Sequence, residues 1–148
     1  MIALIQRVTG ASVRIDERRC AEIGPGLLAL IGVVRGDDSV RAARLLQRVL
    51  DYRVFADAAG RMNLSLRDIC GGLLLVPQFT LAADTRKGLR PGFSGAAPPE
   101  QAQQLFEVML QAARAQYGQH GQVESGVFGA NMQLSLTNDG PVTIWLES

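Results

Sequence analysis

The sequence predicts an α+β fold: a single domain over 1–148, built on a curved, mainly antiparallel, barrel-like β-sheet with two main helices. Three observations carry this expectation. Two stretches repeat apolar residues at helical spacing, while the other apolar stretches are β-rich. The elements fall in the order ββ-α-β-α-ββ, with strands clustered at both ends. No internal repeat or linker divides them, and 148 residues at 47% hydrophobic suffice for one core without disulfides or metals.

Residues 2–15 alternate loosely and are rich in β-formers. Asp16 to Arg19 form a polar turn. Residues 20–34 read as a second strand, interrupted at Gly24-Pro25-Gly26, so the pair predicts a long hairpin with a bulge or bend. The unbroken run Leu27 to Ile31 suits a strand buried on both faces. Next comes a helix, for which Asp37, Asp38 and Ser39 offer N-caps. Val40, Ala43, Leu46, Val49 and Leu50 recur at roughly helical spacing, with Arg41, Arg44 and Arg48 as the solvated face.

Residues 56–71 read as loop. Leu73 to Val76 form a buried strand that Pro77 stops. Residues 82–97 hold no periodicity, and a polar, glycine-rich connection of that length is either functional or disordered. The second helix starts at Pro98-Pro99 and stops at Gly118. Its core stripe is Ala102, Leu105, Phe106, Met109, Leu110 and Ala113. In the last third, Met132, Leu134 and Leu136 alternate with polar residues, and so do Val142, Ile144 and Leu146. Both stretches read as half-buried strands.

Between these two strands stands "NDGPVT". Asn138-Asp139-Gly140 resembles a hairpin turn, yet Pro141 follows where a returning strand should donate hydrogen bonds. A glycine before proline avoids the α-like region that a two-residue type I′ turn needs at its second position. The break in hairpin chemistry is visible from these residues alone.

Composition narrows the function. A formal net charge of +1 argues against broad nucleic-acid binding, which shows as a strongly basic domain. A chain of this charge that meets RNA touches a small part of it. Cys20 and Cys70 lack CxxC spacing and read as reduced thiols of a cytosolic protein. Gln6 and Arg7 interrupt the first apolar run too early for a signal peptide or membrane span, so the expected location is the cytoplasm.

His120, the single histidine, lies in the loop-like stretch "YGQHGQ". No His, Cys, Asp or Glu spacing suits a metal. No GxSxG supports Ser-His-Asp catalysis through His120. Neither phosphate-binding glycine motif is present, and no carboxylate pair stands out. An enzyme with this sequence must lean on backbone groups, hydroxyls or its substrate, and no cofactor is expected.

Three small-residue segments lie between the core elements: "PQFTLAAD" (77–84), "KGLRPGFSGAAPP" (87–99) and "GVFGANMQLSLTNDGPVTIWLES" (126–148). Together with "MIALIQRV" at the start, they resemble the D-aminoacyl-tRNA deacylase family over the whole chain. Any one of them alone is weak, whereas their combination in this order is highly specific.

The resemblance implies that family's fold and a set of site residues. The family's Ser-Gln-Phe-Thr-Leu signature falls on Pro77-Gln78-Phe79-Thr80-Leu81, which makes Gln78, Phe79 and Thr80 the catalytic positions. Pro77 departs from the pattern and removes a hydroxyl and a backbone N–H. The family's Gly-cisPro motif falls on Gly140-Pro141, and the arginine that braces it on Arg7. Phe128, Gly129 and Ala130, in "GVFGA", match the segment that receives the terminal adenosine.

The implied substrate is the 3′ end of an aminoacyl-tRNA, and the implied reaction is hydrolysis of a D-aminoacyl ester. L-aminoacyl esters would be rejected by the backbone carbonyls of the Gly-Pro motif, and glycyl-tRNA mischarged on a non-cognate tRNA would escape the filter in part. The implied assembly is a homodimer in which the Gly-Pro motif of one subunit enters the neighbouring active site, with no metal. For the chemical step two routes stay open. Thr80 acts as nucleophile, which needs a base that the sequence does not offer; or the Phe79 or Thr80 N–H steadies an oxyanion while the substrate's ribose 2′-OH activates water. Two other classes are the alternatives: a non-catalytic nucleic-acid-binding module on the same fold, against which the near-neutral charge argues, and a general esterase using Ser or Thr with His120.

Overall fold

A 14-residue strand, β1 (Ile2–Ile15), organises the sheet of this computed structural model, which describes residues 1–86 and 88–148. Lys87, the first residue of the "KGLRPGF" stretch, lies outside the described residues. After β1 come β2 (Arg18–Ile23), β3 (Gly26–Gly32) and helix α1 (Ser39–Asp51). A small hairpin, β4 (Phe55–Ala56) and β5 (Met62–Leu64), precedes the one-turn helix α2 (Leu66–Ile69) and strand β6 (Gly72–Pro77). A 3-10 turn (Phe79–Ala82), helix α3 (Pro99–Tyr117), β7 (Val123–Ser125) and β8 (Gln133–Glu147) complete the chain.

β2 and β3 are two halves of one bent strand. Both pair antiparallel with the same edge of β1, β2 with its far half and β3 with its near half. The bend falls at Gly24-Pro25, between them. The opposite edge of β1 is occupied along its length by β8, also antiparallel. Beyond β3 the sheet turns parallel: β3 pairs with β6 and β6 with β7. Parallel neighbours need a crossover, and α1 and α3 supply it. The sheet is thus antiparallel around β1 and parallel around β6, and it curls toward a barrel.

Both long helices lie on one face of the sheet. There Ile5, Leu27, Leu73 and Leu146 pack against Leu46, Val49, Phe106 and Met109. The concave face holds a second cluster around Val8, Val13, Ile23, Leu28 and Leu74, flanked by half-buried Met132, Leu134 and Leu136. β3 is buried on both sides, as its unbroken apolar run predicts; only Leu30 is half-buried. At Gly26, paired with Gly72, a Cβ would lie 1.9 Å from the Gly72 carbonyl oxygen, so the two strands meet through glycine backbone.

Three expectations are corrected. The buried face of α1 is Ala42, Leu45, Leu46, Val49 and Leu50, an i, i+3, i+4, i+7, i+8 stripe. Val40 is 66% exposed and Ala43 is exposed as well, because the Asp38 N-cap puts Val40 in the first turn on the outer side. Stretch 56–71 is not all loop: Ser65 and Asp68 form a capping box that starts α2. The two terminal strands are one strand, β8, which runs through Gly140-Pro141 without reversing. α3 matches its predicted stripe, with Leu110 half-buried and Tyr117 added at its end. Among the described residues no helix is long and apolar enough to cross a membrane.

Candidate active site

Strand β6 delivers the first group of residues. Its pairing with β7 ends at Leu75↔Ser125, so Pro77 has no ladder partner on that side and its missing N–H costs nothing there. The proline ring packs where Gly126 has no side chain: a Cβ on Gly126 would lie 3.3 Å from Pro77 Cδ and 2.8 Å from Met132 Sδ. The last sheet bond is donated by the Gln78 N–H to the Ile31 carbonyl, at 2.7 Å. The chain then tightens into the 3-10 turn, closed by Leu81 N–H to Gln78 O at 3.2 Å and Ala83 N–H to Thr80 O at 3.1 Å.

Phe79 and Thr80 are the first two residues of that turn. Their N–H groups have no hydrogen-bond partner among the described residues, as expected for the free donors at a helix start. The Gln78 side-chain amide donates to Thr80 Oγ1. The partner of the threonine hydroxyl is therefore a donor and not a base.

Gln78 and Phe79 face a cleft of about 700 Å3. Phe128, Gly129 and Ala130 form its other side, and Met132 and Leu134 of the β8 approach contribute apolar wall. Gly129, at φ +74°, and the Ala130 N–H to Val127 O bond make "GVFGA" a turn that presents backbone to the cleft. Phe93 stands at the mouth, its ring centroid 5.1 Å from that of Phe79 and tilted by 55°. Arg35 is the cleft's one cationic lining residue among those described.

Thr80, Arg7, Gly140 and Pro141 do not line this cleft. The last three form a separate structure at the β1–β8 pairing. Gln6 faces Thr143 and Val8 faces Asn138, so Asp139, Gly140, Pro141 and Val142 bulge out opposite Arg7 alone. The Gly140-Pro141 bond is cis, and both residues are exposed. The bulge also reverses the facing of the strand. Met132, Leu134 and Leu136 border the concave cluster, whereas Val142, Ile144 and Leu146 belong to the helix side.

Two side chains hold the bulge. Arg7 Nε–H donates to the Asp139 carbonyl at 2.9 Å and is 3.0 Å from its carboxylate, while Nη1 donates to the Val54 carbonyl. Asn138 Nδ2 donates to the carbonyls of Arg7, at 3.0 Å, and Val142, at 2.9 Å. Sequence reasoning assigned Asn138 to a turn and missed this clamp. It also missed Arg35 and Phe93, whose relation to the cleft depends on folding the 92–97 segment against 33–35. His120 sits in the turn after α3, its ring 6.4 Å from Tyr117, and does not line the cleft. Among the described residues no three His, Cys, Asp or Glu side chains are grouped to hold a metal.

A largely apolar cleft, a free pair of N–H groups and a clamped Gly-Pro bulge can be compared with known proteins. The sequence profile of the D-Tyr-tRNA(Tyr) deacylase family matches residues 4–147. The chain belongs to that family. A protein of Thioalkalivibrio sulfidiphilus (strain HL-EbGR7) named D-aminoacyl-tRNA deacylase is 60% identical over 147 residues, covering 99% of this chain and 97% of that one. One of the same name from Azotobacter vinelandii (strain DJ / ATCC BAA-1303) is 60% identical over 148 residues, covering all of both chains. Among solved structures, one described as c-Myc DNA Unwinding Element Binding Protein superposes with a TM-score of 0.94 at 38% identity, covering 100% of this chain and 99% of that one. A probable eukaryotic D-amino acid tRNA deacylase superposes at 0.87 over 99% of this chain and 98% of that one; at 16% identity it bears on the fold alone. This family member is an enzyme of the D-aminoacyl-tRNA deacylase type, a hydrolase of translation quality control.

Proposed function

We propose that the protein hydrolyses the ester between a D-amino acid and the 3′-terminal adenosine of a tRNA, releasing free amino acid and tRNA in the cytoplasm. The observation that carries this reading is the shared cleft of Gln78 and Phe79 with Phe128, Gly129 and Ala130, positions about 50 residues apart in the chain. In this reading the 128–130 turn receives the adenosine, and the ester carbonyl lies at the start of the 3-10 turn.

A water molecule, activated by the neighbouring ribose 2′-OH, attacks the ester carbon. The oxygen that becomes negative takes hydrogen bonds from the Phe79 or Thr80 N–H, groups already fixed and free to donate. Collapse breaks the C–O bond, and the ribose oxygen leaves with a proton. Thr80 contacts an amide donor and no base, which favours this route over a threonine nucleophile.

Chirality is read by exclusion. D- and L-esters carry the same atoms, so only the space that an L side chain needs separates them well. We assign that space to the backbone of Gly140 and Pro141, held by Arg7. Since neither residue lines the cleft of its own chain, the motif acts in a homodimer by entering the partner subunit's cleft. Backbone groups do not distinguish among D side chains, so the range of accepted D-amino acids is broad. A glycyl ester, with no side chain to exclude, is hydrolysed as well.

The deciding measurement is a paired assay of purified protein with D-tyrosyl-tRNA and L-tyrosyl-tRNA. Hydrolysis of the D-ester alone is the expected result. Equal hydrolysis of both sinks the chiral filter. A second reading, a non-catalytic nucleic-acid-binding module, is favoured by the 38%-identical structure described as a DNA-binding protein. Binding of RNA or DNA with no hydrolysis of either ester would establish it instead.

A further inference from the structure

Beside the cleft lies a second, polar pocket of about 460 Å3, lined by Asp84, Arg86, Arg90, Gly92 and Ser94. Among the described residues no apolar side chain lines it, in contrast to the cleft. The wall between the two is the segment Gly92–Ser94, which leads from the Asp84–Gly92 bridge into a turn closed by the Ala96 N–H to the Phe93 carbonyl at 3.0 Å. Phe93 lines the cleft, while its neighbours Gly92 and Ser94 line the polar pocket. The base of the pocket is pinned by a two-bond bridge, Asp84 N–H to Gly92 O at 2.6 Å and Gly92 N–H to Asp84 O at 3.0 Å.

The charges of this pocket are sorted. Arg86 donates through Nε and Nη2 to the two carboxylate oxygens of Asp84, at 2.9 and 2.7 Å. These bonds hold the Asp84 carboxyl below the usual carboxylate range, so it stays ionised and matched to Arg86. Arg90 makes no ion pair among the described residues. Arg35, on the cleft's rim, uses Nε to bond the Ser94 carbonyl at 2.6 Å, which fixes it against the same wall. Two uncompensated guanidinium groups therefore flank one wall, in a chain whose net charge is only +1. Guanidinium forks suit phosphate oxygens.

We infer that this polar pocket is a phosphodiester subsite, in which Arg90, with Arg35 at the shared wall, holds the nucleotide chain where it leaves the cleft. The inference rests on the deacylase reading: an adenosine seated in the cleft must continue through its 5′ phosphate to the next nucleotide. A chain of low net charge then meets its RNA through a small local footprint and not a broad basic face.

The test compares two substrates, D-tyrosyl-tRNA and the D-tyrosyl ester of adenosine, which has the same reacting centre and no phosphate. Arg90→Ala and Arg90→Glu are measured on both, with Arg35→Ala as a second site. For Arg90→Glu we expect KM for the tRNA to rise about tenfold with kcat within about twofold, and the salt dependence of kcat/KM to lose about one unit of slope. On the adenosine ester the Arg90 variants should match the wild type. An unchanged KM for the tRNA overturns the subsite, and so does an equal loss on both substrates, which would mean that the loop acts through the cleft. Wild-type protein that hydrolyses neither ester overturns the deacylase reading itself, an outcome distinct from both.

Discussion

Arg7 and Asp139 meet twice: the Arg7 Nε–H donates to the Asp139 carbonyl at 2.9 Å and lies 3.0 Å from the Asp139 carboxylate. The far end of the same guanidinium donates to the carbonyl of Val54, a core residue behind α1. One side chain thus ties the exposed Gly-Pro bulge to the buried part of the molecule. Arginine presents its donors in a rigid planar fork, so it holds direction as well as distance.

Replacing Arg7 by Ala should loosen the bulge before it harms the fold. Losing hydrogen bonds from a charged donor costs about 1–3 kcal/mol, read as a lower denaturant midpoint. The larger effect is expected on selectivity, where a small displacement of a positioning group lowers the D-over-L ratio of kcat/KM by about tenfold or more. Arg7→Lys keeps the charge and loses the fork, so it should fall between the two. Full selectivity in Arg7→Ala would falsify the bracing role.

Gly140 tests the motif by sterics alone. A Cβ there would lie 2.2 Å from Asn138 Oδ1 and 2.6 Å from the Val142 N, closer than atoms approach. Asn138 is held by two hydrogen bonds and Val142 is buried, so neither yields easily. Gly140→Ala should fold, since the site is exposed, and lose about a hundredfold in kcat/KM on D-tyrosyl-tRNA. If the bulge serves the partner's cleft, mixing this variant with Ala130→Trp, which fills the cleft, should restore about a quarter of wild-type activity through mixed dimers. No recovery in demonstrably mixed dimers would count against the shared site.

Thr80→Ala separates the two chemical routes. With the backbone N–H groups intact, the single-turnover rate should fall by no more than about tenfold. A loss beyond roughly a thousandfold with the fold intact would make the hydroxyl a nucleophile after all. His120→Ala should leave activity unchanged, because His120 does not line the cleft; a large loss there would revive the general-esterase reading.

Local chemistry was legible where local forces decide. The α3 stripe, the bend at Gly24-Pro25 and the doubly buried β3 follow from spacing and turn residues. The failures are non-local. Gly140-Pro141 breaks hairpin rules, yet β8 continues because β1 pairs with both of its halves, from Arg14↔Gln133 to Ile2↔Glu147, across almost the whole chain. The parallel β3–β6 pairing depends on helical crossovers that element order alone does not dictate. In α1 the apolar pattern tolerates two phases, and packing against α3 and the sheet selects the one that exposes Val40. At the site, nothing in the spacing of "PQF" and "VFGA" reveals that they share a cleft; only the family resemblance brought them together in advance. Arg35 carried no motif and Asn138 stood in "NDGPVT" with no role beyond the turn; their geometry appears only in the folded chain.

Tyr117 offers a test of the scaffold that carries β6. It is fully buried at the end of α3, and its hydroxyl contacts the carbonyls of Gly71, at 2.6 Å, and Leu66, at 3.1 Å. Burial pushes its pKa up to about 12, and the nearby Cys70 adds to the rise. A raised folded pKa means that the neutral phenol is the stabilising form. Its contribution is complete below the unfolded value near 10 and is lost as pH rises through about 12. Urea unfolding should therefore show wild-type protein exceeding Tyr117→Phe by about 1–3 kcal/mol at pH 8, where the variant removes the hydroxyl donor from the Gly71 carbonyl. That gap should narrow between about pH 10 and 12 as the buried phenol ionises. Since Tyr117 does not line the cleft, Tyr117→Phe should keep its D-over-L selectivity at pH 8. A gap that stays constant up to pH 12 would show that the hydroxyl is not the group that titrates with unfolding.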